Sequence, residues 1–230
     1  NLSKQTHVLA SNVDQIFLMV TIKNPNTTTE FIDRFLLTAE AYDIPTILLI
    51  NKKDIYNKQD LAQVEKLCST YSKVGYLCYV ISSLSDNIDF LTKHLKDKVT
   101  IVVGHSGVGK SSLINTIEPT LNLATSKISA YHKQGKHTTT FAEMHPLKKG
   151  GFVIDTPGIR GFGLVDIKKE ELTDFFPEMF KIKHNCKFNN CLHINEPRCA
   201  VLLEVKNGNI PESRYKNYIK ILNNSDENYR

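Results

Sequence analysis

The chain has 230 residues, 41% of them apolar and 23% charged, proportions that exclude a disordered or fibrous chain. That length holds one full-sized domain plus a small appendage. A net charge of +5 permits an RNA or ribosome partner without requiring one, and apolar runs such as Thr46–Ile50 are far too short to span a bilayer, so no membrane association is expected.

No charged-then-apolar leader opens the sequence, and it starts at Asn1 rather than Met, so a fragment or processed form is expected. Residues 15–21 (QIFLMVT) are an apolar run rich in strand formers. Residues 29–42 follow with Phe31, Ile32, Phe35, Leu36 and Ala39 at helical spacing. Pro45 closes that helix, and residues 46–50 (TILLI) read as a strand buried on both faces. The pattern repeats: helix over 59–71, strand over 76–81, helix over 86–95, strand over 99–103. Such alternation predicts a mostly parallel sheet with helices on both faces, because parallel strands need crossovers. A helix is predicted over 110–117, a long loop over 119–140, and two strands over 141–146 and 152–155 joined by a tight turn at 148–151. Beyond Gly163 the character changes to a charged helix over 168–176, a turn-rich stretch over 186–199 and a last helix over 212–222.

Three motifs sit at the ends of predicted strands. Residues 104–111, G-H-S-G-V-G-K-S, match the phosphate-binding P-loop. Ser106, Gly107, Val108, Gly109, Lys110, Ser111 and Ser112 are its candidate phosphate residues, with backbone amides and a helix N-terminus facing the anion. Lys110 is expected to bridge the β- and γ-phosphates, and Ser111 to ligate Mg²⁺. Residues 51–54, N-K-K-D, follow a buried strand, where open α/β sheets bind ligands. Asn51, Lys52 and Asp54 are the candidate guanine readers, since a carboxylate can accept from guanine N1–H and N2–H₂ and from no such pair on adenine. The competing reading makes Asp54 a helix N-cap. Ser82 and Ser83 end the next strand and resemble the weak serine-bearing guanine loop.

Residues 155–158, D-T-P-G, resemble the segment that faces the γ-phosphate and Mg²⁺ in GTPases, with Asp155 toward the nucleotide and the Gly158 amide on the γ-phosphate. Ile159 follows, where Ras-like enzymes place a glutamine that orients water, so another residue must do this. His137 is a candidate for that role or for an RNA contact. One threonine of Thr138, Thr139 and Thr140 would complete Mg²⁺ coordination; spacing does not choose, and Thr139 is favoured. The N-K-K-D block precedes the P-loop, the reverse of an ordinary GTPase, which points to circular permutation.

Cys186, Cys191, His193 and Cys199 supply three thiolates and one imidazole within fourteen positions. That set suits one closed structural zinc site and a reducing cytoplasm. Cys68 and Cys78 lie on apolar faces and read as core packing. The chain is therefore read as a circularly permuted P-loop GTPase domain over 1–163 and a small α-helical zinc-binding domain over 164–230.

Together these motifs resemble the ribosome small-subunit-dependent GTPase A (RsgA) family, across nearly the whole chain. The resemblance implies a cytoplasmic GTPase that binds GTP and GDP with Mg²⁺, acts late in 30S subunit maturation, is stimulated by the subunit and has 16S rRNA as a partner. A monomer is expected. One departure is that no run of short strands precedes residue 15, where the family carries an OB-fold barrel; without it, nucleotide binding is expected to survive and ribosome affinity to fall. The rival reading is a nucleotide-gated RNA-binding module with negligible turnover, which Ile159 and the positive charge keep open.

Overall fold

The computed structural model describes residues 12–125, 142–157 and 167–224. Six strands form one sheet: β1 (Gln15–Val20), β2 (Thr46–Ile50), β3 (Leu77–Val80), β4 (Val99–Val103), β5 (Glu143–Pro146) and β6 (Phe152–Asp155). Their order is β3-β2-β1-β4-β6-β5, parallel throughout except for the antiparallel β5–β6 pair. β1 and β2 are buried at every position, as continuous apolar runs require in a parallel sheet covered on both sides. On one face Phe17, Met19, Ile47, Leu49, Val102 and Val153 meet Leu91 and Leu95 of α3 (Asp89–Leu95) and Leu113 and Ile114 of α4 (Lys110–Ile117). The alternation of Phe17 with Met19 and of Ile47 with Leu49 is the period-2 pleat.

Register brings the parallel strands to a common edge. Val20 pairs with Ile50, Ile50 with Val80, Leu18 with Val103 and Val102 with Asp155. The chain moves outward from β1 through β2 to β3, then returns to place β4 on the other side of β1. This reversal of strand order opens a crevice beyond the strand ends. Each of the three nucleotide motifs leaves its strand at that edge.

Local chemistry explains the helices. Thr28 caps α1 (Thr29–Ala41) by accepting from the Phe31 amide at 3.2 Å. At α2 (Lys58–Lys73), Asn57 Oδ1 accepts from the Asp60 amide and Asp60 Oδ2 from the Asn57 amide, both at 2.9 Å. This is a reciprocal capping box with Asp in place of the usual Glu. The predicted helix over 86–95 begins at Asp89, because Asp86 is occupied as acceptor for the Ser82 amide at 2.7 Å. The predicted helix over 168–176 is instead a 3₁₀ segment over Lys169–Phe175. Pro177 lacks an N–H and disfavours helical geometry at Phe176. The last helices are α5 (Pro177–Phe180), α6 (Ala200–Lys206) and α7 (Glu212–Asn224).

The described residues divide into two compact units that do not follow a single cut in the sequence. One gathers residues within Asn1–Thr27, Ile44–Ser69 and Leu77–Gly161; the other gathers Thr28–Asp43, Thr70–Tyr76 and Phe162–Arg230. The second unit thus takes in α1, and its core joins Leu37 to Leu172, Phe176, Met179, Val201, Ile210, Tyr218 and Ile221. Arg214 of α7, 1% exposed, explains much of that choice. Its guanidinium donates to Asp33 of α1 at 2.7 Å and to both oxygens of Glu178 at 2.8 and 3.1 Å, and lies 4.6 Å from the Phe176 ring centre. Asn217 and Tyr71 also donate to Asp33, at 2.6 and 2.8 Å. Burial works against the charge on Arg214, but Asp33 and Glu178 outweigh it and hold the guanidinium protonated. Burial likewise raises the Asp33 carboxyl against the pull of Arg214, while the arginine, which does not deprotonate in proteins, stays charged.

Candidate functional site: a nucleotide crevice and a metal-binding knuckle

The loop between β4 and α4 is built where only glycine fits. A Cβ on Gly104 would stand 2.3 Å from the Met19 carbonyl oxygen, and one on Gly109 2.4 Å from Asn51 Nδ2. Both residues have positive φ, +150° and +103°. Lys110 opens α4, 7% exposed, with Nζ donating to the carbonyls of Gly104 at 3.1 Å and His105 at 3.2 Å. Burial lowers its pKa, opposed by Asp155. The ammonium is thereby folded across its own loop, placed to exchange those carbonyls for phosphate oxygens. Ser106 and Gly107 are exposed at the turn, Val108 is buried, and Ser112 is half-buried with its carbonyl accepting from Thr116 at 3.0 Å.

Ser111 Oγ donates to Asp155 Oδ2 at 3.1 Å, which brings the P-loop and the end of β6 together. These are hard oxygen donors of the kind a small divalent cation takes. The next residue, Thr156, donates to the Val102 carbonyl at 2.7 Å and locks the turn after β6 to β4. Gly158, Ile159, His137, Thr138, Thr139 and Thr140 lie outside the described residues.

The N-K-K-D segment divides its labour. Asn51 is 1% exposed and spends its amide on protein. Nδ2 donates to the Val108 carbonyl at 2.8 Å and to Ser83 Oγ at 3.1 Å, while Oδ1 accepts from the Ser83 amide at 2.9 Å. One side chain therefore ties together the ends of β2 and β3 and the P-loop. Lys52 holds a left-handed backbone, φ +68°, and its ammonium donates to the Asn24 carbonyl. Burial lowers its pKa, with Asp54 acting in the opposite sense. Asp54 is exposed, with Oδ1 accepting from Ser82 Oγ at 2.6 Å. Asp54 lies inside a 3₁₀ turn over Lys53–Ile55, and the α-helix that follows is capped by Asn57, not Asp54. Sequence reading missed the segment 21–27, which closes on itself through Thr27 and Thr21 and brings Asn24 to Lys52. It also missed Tyr56. No motif spacing marks either.

In the second unit the ligand atoms of Cys186, Cys191, His193 and Cys199 all lie within 4.8 Å of one another. A tetrahedral site with metal–sulfur bonds of about 2.3 Å has ligand-to-ligand edges of about 3.8 Å. Cys186 and Cys199 sulfurs stand 3.8 Å apart, and His193 Nδ1 lies 3.6 Å from Cys186 and 3.2 Å from Cys199. The four side chains therefore fit one metal ion. The backbone supports them: Ala200 and Leu202 amides donate to the sulfurs of Cys186 and Cys199 at 3.3 and 3.4 Å. Glu196 accepts from the amides of Leu192, Ile194 and Asn195 at 2.7, 2.7 and 3.0 Å, folding the loop between ligands. Tyr215 and Tyr218 donate to the carbonyls of His193 and Leu192 at 2.8 and 2.9 Å. Burial pushes the Cys191 thiol up to about 12, so a metal must displace protons to bind and binds better as pH rises. Cys68 and Cys78 belong to the first unit, where Cys68 Sγ donates to the Cys78 carbonyl at 3.6 Å.

Among the described residues no helix is long and apolar enough to cross a membrane. A family model for the RsgA GTPase matches residues 1–165. A protein of Christiangramia forsetii named small ribosomal subunit biogenesis GTPase RsgA is 53% identical over 231 residues, covering 100% of this chain and 73% of that protein. Proteins of the same name from Flavobacterium johnsoniae and Bacteroides fragilis are 54% and 50% identical, covering 100% and 99% of this chain and 71% and 74% of theirs. Among solved structures, YjeQ from Thermotoga maritima superposes with a TM-score of 0.81 at 41% identity, over 94% of this chain and 72% of that one. YloQ, described as a circularly permuted GTPase, gives 0.76 at 34% identity, over 95% and 70%.

Proposed function

The chain belongs to the RsgA GTPase family, and from that premise we propose that it hydrolyses GTP as an assembly factor of the small ribosomal subunit. The observation that carries the nucleotide part is the Asn51 side chain, which joins base reader, serine loop and P-loop in one set of buried hydrogen bonds. The printed name of its relatives supports the ribosomal part.

Asp54, oriented by Ser82, reads the guanine edge, and the stem of Lys52 lies beside the base. The P-loop amides and Lys110 hold the β- and γ-phosphates. Among the described residues Ser111 and Asp155 would hold Mg²⁺ with GTP, and Thr139 would complete that set. The ion, when bound, neutralises charge that builds on the phosphate oxygens. Water attacks the γ-phosphate in line with the leaving oxygen; Gly158 donates its amide to the γ-phosphate, and His137 orients the water in place of the missing glutamine. One zinc ion in the Cys₃His set would brace a C-terminal domain over 164–230, and a permuted GTPase domain spans 1–163. The chain acts in the cytoplasm as a monomer and contacts 16S rRNA in the 30S subunit, which stimulates turnover.

The test is GTP turnover with and without purified 30S subunits. Stimulation by 30S and not by 50S subunits is the expected result. A rate unaffected by 30S subunits would remove the ribosomal part and leave the nucleotide part standing.

A further inference from the structure

Tyr56 stands two residues beyond Asp54, outside every nucleotide motif, and is buried. Its hydroxyl is shared between two strand ends. It donates to the Asn51 carbonyl at 2.6 Å and accepts from the Ile22 amide at 3.2 Å. The last paired residues of β1 and β2 are Val20 and Ile50, so this hydroxyl joins the two chains just beyond the point where their register ends.

Both chain ends carry parts of the crevice. From Asn51 the side chain runs to the P-loop carbonyl of Val108 and to Ser83. From Ile22 the backbone runs to Asn24, which accepts from Lys52, and to Pro25, whose Cδ lies 3.9 Å from where a Cβ on Gly107 would stand. The ring itself is held from its face. The Lys23 ammonium lies 5.6 Å from the ring centre and pairs with Asp60 of the α2 capping box.

We propose that Tyr56 is a positioning residue for guanine-nucleotide binding: its hydroxyl holds the ends of β1 and β2 together so that Asn51 and Lys52 are set before nucleotide arrives. The inference rests on the guanine reading above. Without the hydroxyl, the Ile22 amide and the Asn51 carbonyl lose a buried partner, and the strand ends open to reach water. The fraction of free protein in the binding arrangement then falls, and apparent affinity falls by the same factor. Bound nucleotide restores the arrangement, so turnover at saturation is kept.

The experiment is Tyr56→Phe in the full chain, which keeps the ring and removes one oxygen. Dissociation constants for GDP and GTP should rise about tenfold, KM for GTP should rise with them, and kcat should stay within about twofold. Unchanged GDP affinity in Tyr56→Phe overturns the proposal; so does a loss of kcat equal to the loss of kcat/KM. A second measurement needs no variant: in the nucleotide-free wild type the Ile22 amide should exchange slowly, and an unprotected Ile22 amide overturns the proposal as well. If the wild type shows no preference for GDP over ADP, the guanine reading has failed instead.

Discussion

Asp54 and Asn51 show how one tetrapeptide supplies two kinds of residue. The Asp54 carboxylate is exposed and held by a single serine hydroxyl, which leaves it acceptor capacity for a base. Asn51 is buried and spends its amide on Val108 and Ser83, bonds that tie strand ends to the P-loop. Substituting the two should give different failures. Asp54→Asn replaces an acceptor with a donor at one position and should shift preference from guanine toward xanthine nucleotides by about a hundredfold or more. Competition of XDP and GDP for a labelled nucleotide checks this, and retained GDP preference would remove Asp54 as the base reader. Gly109 belongs to the same account, because its missing Cβ is the space that Asn51 Nδ2 occupies. That constraint reads as an ordinary P-loop glycine in the sequence, and only the approach of Asn51 shows what it makes room for.

Among the elements, α7 departs furthest from its sequence pattern. Tyr218, Ile221 and Leu222 form a buried apolar stripe, yet Arg214 and Asn217 are buried with them. Charge at such positions reads as a solvated face, and its burial becomes legible only when Asp33 and Glu178 are placed around it. Arg214→Ala would strand two carboxylates in the interior and should cost about 3–5 kcal/mol of stability. Denaturant unfolding measures this. Arg214→Met, which keeps much of the volume but also leaves both acids unpaired, should lose a similar amount; a loss below about 1 kcal/mol in both variants would show that the acids find other partners. The 3₁₀ segment over Lys169–Phe175 is the opposite case. Its charged periodicity predicts a helix, and the Phe176-Pro177 pair, visible in the sequence, is the signal that decides against one.

For the whole molecule, the separation into two units carries a testable consequence. α1 lies in sequence between two sheet strands, yet it belongs to the compact unit that holds the Cys₃His set. Metal removal by a chelator should therefore raise hydrogen exchange over 200–222 and also over 29–41, while β4 and α4 with GDP bound keep their protection. Exchange over 29–41 that stays at its holo rate would show that α1 draws its stability from elsewhere. The strands, the P-loop, the N-K-K-D and D-T segments and the four metal ligands were all readable from the sequence, because each is set by periodicity or chemistry within a few neighbouring residues. Joins across long separations were not: Asn51 to Val108 spans 57 positions and Arg214 to Asp33 spans 181. The partner of a buried polar group is chosen by which backbones the fold brings within hydrogen-bond reach, and a residue type gives no sign of that choice. The sequence by itself determined which residues are candidates for phosphate, base and metal. The tertiary structure alone decided that Asn51 is bonded to Val108 and Tyr56 to Ile22, and that a helix from the first half of the chain is packed with the last.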